Sequence, residues 1–134
     1  MLQVGELPTP TPGPGEVRVR LKTSGVNPSD VKSRRARPVT DPFIVPHSDG
    51  AGLIDAVGAG VSAARMNERV WLWNGQWQRA MGTASEWVVV PAAQAVHLPE
   101  NTDFAAGACL GIPALTALQA VHLAGDLKGK TVLV

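Results

Sequence analysis

The sequence predicts a mainly β, barrel-like domain that hands over to two helices and then to one further apolar strand. Three observations carry this reading. Short stretches of period-two alternation or of β-branched residues recur between residues 16 and 99. Gly (14) and Pro (11) are abundant but sit at separate turns rather than in a low-complexity run. From residue 101 the apolar period becomes helical, and the chain closes on "GKTVLV" (129–134), apolar on both faces like a buried parallel strand.

The totals exclude several function classes. The 134 residues are the size of one domain. A net charge of +1 offers no global attraction to nucleic acid or to an anionic membrane. The single cysteine, Cys109, excludes an intrachain disulfide framework and a Cys-rich zinc site. No apolar stretch reaches membrane-spanning length and no leader pattern follows Met1, so the expected setting is soluble and cytoplasmic.

The elements follow in order. Pro residues make 7–16 extended and turn-rich. In "EVRVRLK" (16–22), Val17, Val19 and Leu21 alternate with charges, the pattern of a half-buried antiparallel strand. A short helix is expected within 23–36, with Asn27 or Ser29 as its cap and Asp30 at the positive end of its dipole. Strands are expected at 52–61, 66–73, 83–90 and 93–99. A helix follows in 101–111, capped by Asn101 or Thr102 with Asp103 in its first turn. Another spans 113–125, with Pro113 at its start, Leu115, Leu118 and Val121 on one stripe, and Gly125 as its stop.

"SGVNPSD", "PHSDGAGLIDAVGAGV", "ERVWLWNG", "GTASEWVVVP" and "LPENTDFAAGACLGIPALTALQAV" occur in one order along the chain. Together they resemble the N-terminal catalytic domain of the medium-chain dehydrogenases/reductases, in the zinc-independent quinone oxidoreductase (ζ-crystallin-like) branch. The resemblance implies a GroES-like, partly open β-barrel over residues 1–111. Residues 112–134 would then be a linking helix and the first strand of a Rossmann NADPH-binding domain whose glycine-rich turn is absent from this chain. It further implies that the isolated chain is an incomplete, inactive and poorly stable fragment of a homodimeric parent.

The same resemblance places the metal ligands of the zinc-dependent relatives on Asn27, Ser48 and Ile112, with His47 one residue early and Asp49 at the acidic position. An amide, a hydroxyl and an isoleucine do not make a tetrahedral N/S zinc site. No metal is therefore expected, and His47, His97 and His122 read as structural.

Without a metal, the acceptor must be polarised by hydrogen bonds and positioning, while NADPH supplies the hydride. The resemblance gives catalytic positions to Asn27 and Ser29, with Asn27 and Thr116 also toward the cofactor; Lys32, where many members of that branch carry a tyrosine, is a third catalytic candidate as a cation that favours a developing anion. Each residue has a plainer reading beside this one. Asn27 suits a turn or cap, Lys32 a solvated helix surface, and Thr116 a hydroxyl bonded to its own helix. Trp73, Asn74, Trp77 and Ser48 are candidates for a substrate pocket, although tryptophans in a barrel also serve as core. "KSRRAR" (32–37) reads as a solvated loop rather than a nucleic-acid contact. The expected activity is hydride transfer from NADPH to a quinone or a conjugated enone. The alternative is a non-catalytic GroES-like barrel acting as a binding or structural module.

Overall fold

The computed structural model of the chain describes residues 2–36, 38–39 and 41–133. Five strands form one antiparallel sheet: β1 (Glu16–Gly25), β2 (Asp49–Val57), β3 (Arg69–Leu72), β4 (Trp87–Pro91) and β5 (Ala95–His97). Their order across the sheet is β4-β1-β2-β3-β5, with β1 flanked by β2 and β4. The alternation at 16–22 is obeyed. Val17 and Val19 are fully buried, Leu21 is half-buried, and they pack with Ile54, Val70, Leu72, Val88, Val90 and Ala95 into the core. Irregularities in the β1–β2 register at Arg18/Val19 and Leu21/Thr23 bend the long strand, as expected of a sheet curling into a half-barrel.

Strand boundaries move for identifiable reasons. β2 starts at Asp49 rather than at residue 52, because Gly50 and Gly52 let its backbone lie close against β1. β4 starts at Trp87 rather than at residue 83, since the preceding main chain is already committed. Thr83 and Ala84 donate to the carbonyls of His47 and Pro46, and the Glu86 carbonyl accepts from Leu21. β3 stops at Leu72, so Trp71 and Trp73 do not share a strand face; the Trp73 N–H instead donates to the Gln94 carbonyl.

Among the described residues there are three α-helices: α1 (Pro28–Ala36), α2 (Phe104–Gly107) and α3 (Leu115–Leu123). Asn27 holds the cap position of α1 as expected, while its side chain turns to Asp49. Asp30 Oδ2 reaches back to accept from the Asn27 N–H at 2.7 Å, the returning half of a capping box. The cap of α2 is Asp103, whose carboxylate accepts from the Ala106 N–H, in place of Asn101 or Thr102. The run 32–36 is helical rather than a loop, with Lys32, Arg34 and Arg35 exposed; Arg37 lies outside the described residues. Pro113 falls inside a π-type turn (Leu110–Ala114) that precedes α3, and Gly125 ends α3 at φ +77° as expected.

Residues 131–133 pair with no strand among the described residues, and Val134 lies outside them. A strand without a neighbour on either side has no ladder to join. No helix of the described residues is long and apolar enough to cross a membrane.

Candidate functional site

The site is built around the start of β2. Asp49 is fully buried, and its carboxylate accepts hydrogen bonds from two directions. Asn27 Nδ2, at the entry to α1, donates to Oδ2 at 2.8 Å. The Ile112 N–H, from the π-type turn, donates to both oxygens at 3.0 and 3.1 Å. Burial pushes the Asp49 carboxyl above its ordinary range, against the lowering effect of these two donors.

The π-type turn exists to make that contact. Gly111 leaves helical geometry (φ −69°, ψ −109°), which turns the next N–H onto Asp49. A Cβ at Gly111 would collide with the Asp49 carboxylate, so only glycine fits there. This is the physical reason α3 begins at Leu115 and not at Pro113.

Beside this knot lies an open cleft of about 590 Å³, lined mainly by apolar side chains with Asn74, Thr116 and Gln119 as polar members. Trp73, Asn74 and Thr116 are thus brought together, with Ile112 forming part of the same wall. Asn74 adopts φ +52° and starts a turn in which its carbonyl accepts from the Trp77 N–H. The other candidates are placed elsewhere. Ser29 and Lys32 are exposed on α1, Trp77 is 55% exposed and not part of the cleft wall, and Ser48 is half-buried with its carbonyl accepting from the Gly75 N–H.

Two of the three positions matched to metal ligands therefore hold an anion. Asn27 and the main chain at Ile112 both donate to a carboxylate, and the Ile112 side chain offers no lone pair. Among the described residues no group of three or more His, Cys, Asp or Glu could hold a metal ion.

Sequence reasoning missed two participants. Asp49 was matched only to an acidic position, yet it organises the site. Thr83, also fully buried, donates to the Asp49 carbonyl at 2.6 Å and contacts Ser24. The signal for Asp49 was available, since a lone acid inside "SDGAGLI" must find donors if it is buried.

With this geometry in place, comparison with known proteins gives a consistent assignment. Residues 13–100 match the alcohol dehydrogenase GroES-like domain family. A quinone oxidoreductase of Rattus norvegicus is 37% identical over 113 residues, covering 82% of this chain and 33% of that protein. Among solved structures, a quinone oxidoreductase of Pseudomonas syringae pv. Tomato superposes with a TM-score of 0.79 at 29% identity, covering 90% of this chain and 36% of that one. A cobalt- and zinc-bound thermostable alcohol dehydrogenase of Pyrobaculum aerophilum gives 0.80 at 29%, covering 92% and 45%. The chain belongs to the alcohol dehydrogenase GroES-like domain family, as a quinone oxidoreductase-like member of the medium-chain dehydrogenase/reductase superfamily. It spans about a third of the length of the curated relatives it matches.

Proposed function

We propose that this chain is the acceptor-binding part of a zinc-independent, NADPH-dependent reductase acting on a quinone or conjugated enone. The observation that carries the reading is the Asn27–Asp49–Ile112 knot, which replaces a metal's lone-pair donors with hydrogen-bond donors around a buried carboxylate. That donor set does not fit zinc.

The cleft does fit a nicotinamide-sized group: it is roomy, largely apolar, and carries few polar side chains to fix orientation. In this reading Asn74 and Thr116 hold the polar edge of the cofactor or acceptor, Trp73 and Ile112 form an apolar wall, and residues 112–134 lead toward the cofactor domain. NADPH, when bound, supplies the hydride. Asn27 is held in one orientation by Asp49. Ser29 and Lys32 contribute polar and cationic groups at the exposed face of α1, where a developing anion is favoured. The parent enzyme is proposed to be a cytoplasmic homodimer.

The test uses the chain itself. 1,4-Naphthoquinone is expected to quench tryptophan fluorescence saturably, with the saturable part lost in Trp73→Phe and weakened in Thr116→Val; 2-cyclohexen-1-one is the enone probe. Elemental analysis is expected to find no stoichiometric zinc. Purely collisional quenching by both probes, or one zinc per chain, overturns the proposal.

A further inference from the structure

Three polar side chains line the cleft, Asn74, Thr116 and Gln119, and none of them has a hydrogen-bond partner among the described residues. Thr116 does not bond back to its own helix, a common use of a helical threonine hydroxyl. Thr116 and Gln119 stand three residues apart on α3 and so share one face. Asn74 reaches the same cleft from the turn after β3, with its backbone held at φ +52°. Trp73, Ile112 and Leu115 make the wall around them apolar.

No charged side chain lines this cleft among the described residues. The charged groups of the elements that form it are placed elsewhere. Arg79, on the loop beyond Trp73, donates through Nη2 to Gln94 Oε1 at 3.0 Å. Asp49 is buried behind the wall, where the Ile112 N–H donates to it, and a carboxyl group there gives an incoming anion no counter-charge. His122 belongs to α3 but not to the lining. Neutral donors suit a carbonyl oxygen, which exchanges water for an amide or hydroxyl at little cost. An anionic group that gives up water at this surface finds nothing to pair with.

We infer that the cleft selects uncharged carbonyl compounds, with Gln119 as a specificity-determining residue whose amide donates to a ligand carbonyl oxygen beside Thr116. The inference rests on the reductase reading above and narrows its acceptors to neutral quinones and enones. Gln119 sets the preference because a cation at this turn of α3 would be the counter-charge that an acidic ring substituent needs. A lysine in its place keeps the helix and the reach but changes the ligand class, since an ammonium is a compact charge that attracts a sulfonate or carboxylate. Gln119 is exposed, so that exchange leaves the core undisturbed.

The test is equilibrium dialysis of the 134-residue chain against 2-(hydroxymethyl)anthraquinone and anthraquinone-2-sulfonate. Both rings are fully fused or substituted about the quinone, so neither adds the exposed thiol of Cys109. The neutral compound is expected to bind at least about tenfold more tightly than the sulfonate, whose charge goes unpaired at an apolar surface. Gln119→Leu is expected to weaken the neutral compound about fivefold, the loss of one neutral hydrogen bond. Gln119→Lys closes the gap, whereas Leu118→Lys, which adds the same charge off the lining, leaves it. Equal affinities in the unmutated chain overturn the charge selection. A gap unmoved by Gln119→Lys, or closed equally by Leu118→Lys, overturns the role of Gln119. Absence of saturable binding by either anthraquinone overturns the inference as a whole. The reductase reading is judged by 1,4-naphthoquinone itself, so the two failures are distinguishable.

Discussion

Asn27 and Asp49 meet side chain to side chain, Nδ2 to Oδ2 at 2.8 Å, with both residues buried. This contact ties the entry of α1 to the start of β2. Removing the Asn27 donor leaves a buried carboxylate with the Ile112 N–H as the remaining donor described for it. Asn27→Ala is expected to cost about 1–3 kcal/mol of unfolding free energy. Urea unfolding of the two chains measures it, and an unchanged midpoint would show that the contact contributes nothing.

The raised Asp49 carboxyl has a signed consequence. Its folded form holds a proton more tightly than its unfolded form, chiefly because burial disfavours the charge. Its contribution to stability is therefore complete below the ordinary carboxylate range and is lost as pH rises through the folded value. Other groups titrate as well, so the measured quantity is the unmutated chain minus Asp49→Asn across that window. This difference is expected to fall with rising pH; a difference that grows with pH would contradict it.

Gly111→Ala probes the same knot from the main chain. The new methyl meets the Asp49 carboxylate, and the turn must open to admit it. A loss of about 1–3 kcal/mol is expected from this overpacking. Thermal unfolding checks it, with Gly125→Ala as a contrast: there the strain comes from the left-handed backbone and a Cβ meets nothing.

On the outer face, Asp55 collects Arg18 Nε and Trp87 Nε1, each at 2.8 Å, and so joins β1, β2 and β4. Asp55→Ala is expected to cost on the order of 1 kcal/mol, because the group is only partly exposed and receives both a charged and a neutral donor. Part of that loss should disappear at high salt, which screens the Arg18 component and leaves the Trp87 bond. A salt-independent loss would show that the ion pair adds nothing.

The sheet was legible because its information is local. Val17, Val19 and Leu21 announce their own face, and the turn at φ +64° is taken by Asn67, a residue type that visits the left-handed region more readily than other non-glycine residues. The caps were less legible. Asp30 and Asp103 sit within a few residues of several equivalent candidates, and only the three-dimensional reach of each carboxylate selects one. The site was hardest to read, because Asp49 and Ile112 are 63 residues apart and the donor at Ile112 is main chain, which no residue type advertises. The sequence expectation of a helix beginning at Pro113 failed at the place where Gly111 gives up helical geometry for that contact.

The sheet order also dictates timing during synthesis. β1 finds β2 through a connection of modest length, but its other neighbour, β4, follows only after β2 and β3. At a typical synthesis rate of about 5–20 residues per second, the second edge of β1 waits for several seconds. Through that interval a strand bearing Val17, Val19 and Leu21 presents an open row of hydrogen-bonding groups, the kind of edge that captures other chains. Protease protection of nascent chains should therefore appear only after Trp87–Pro91 has left the ribosome, and the newborn protein is most in need of a chaperone just before then.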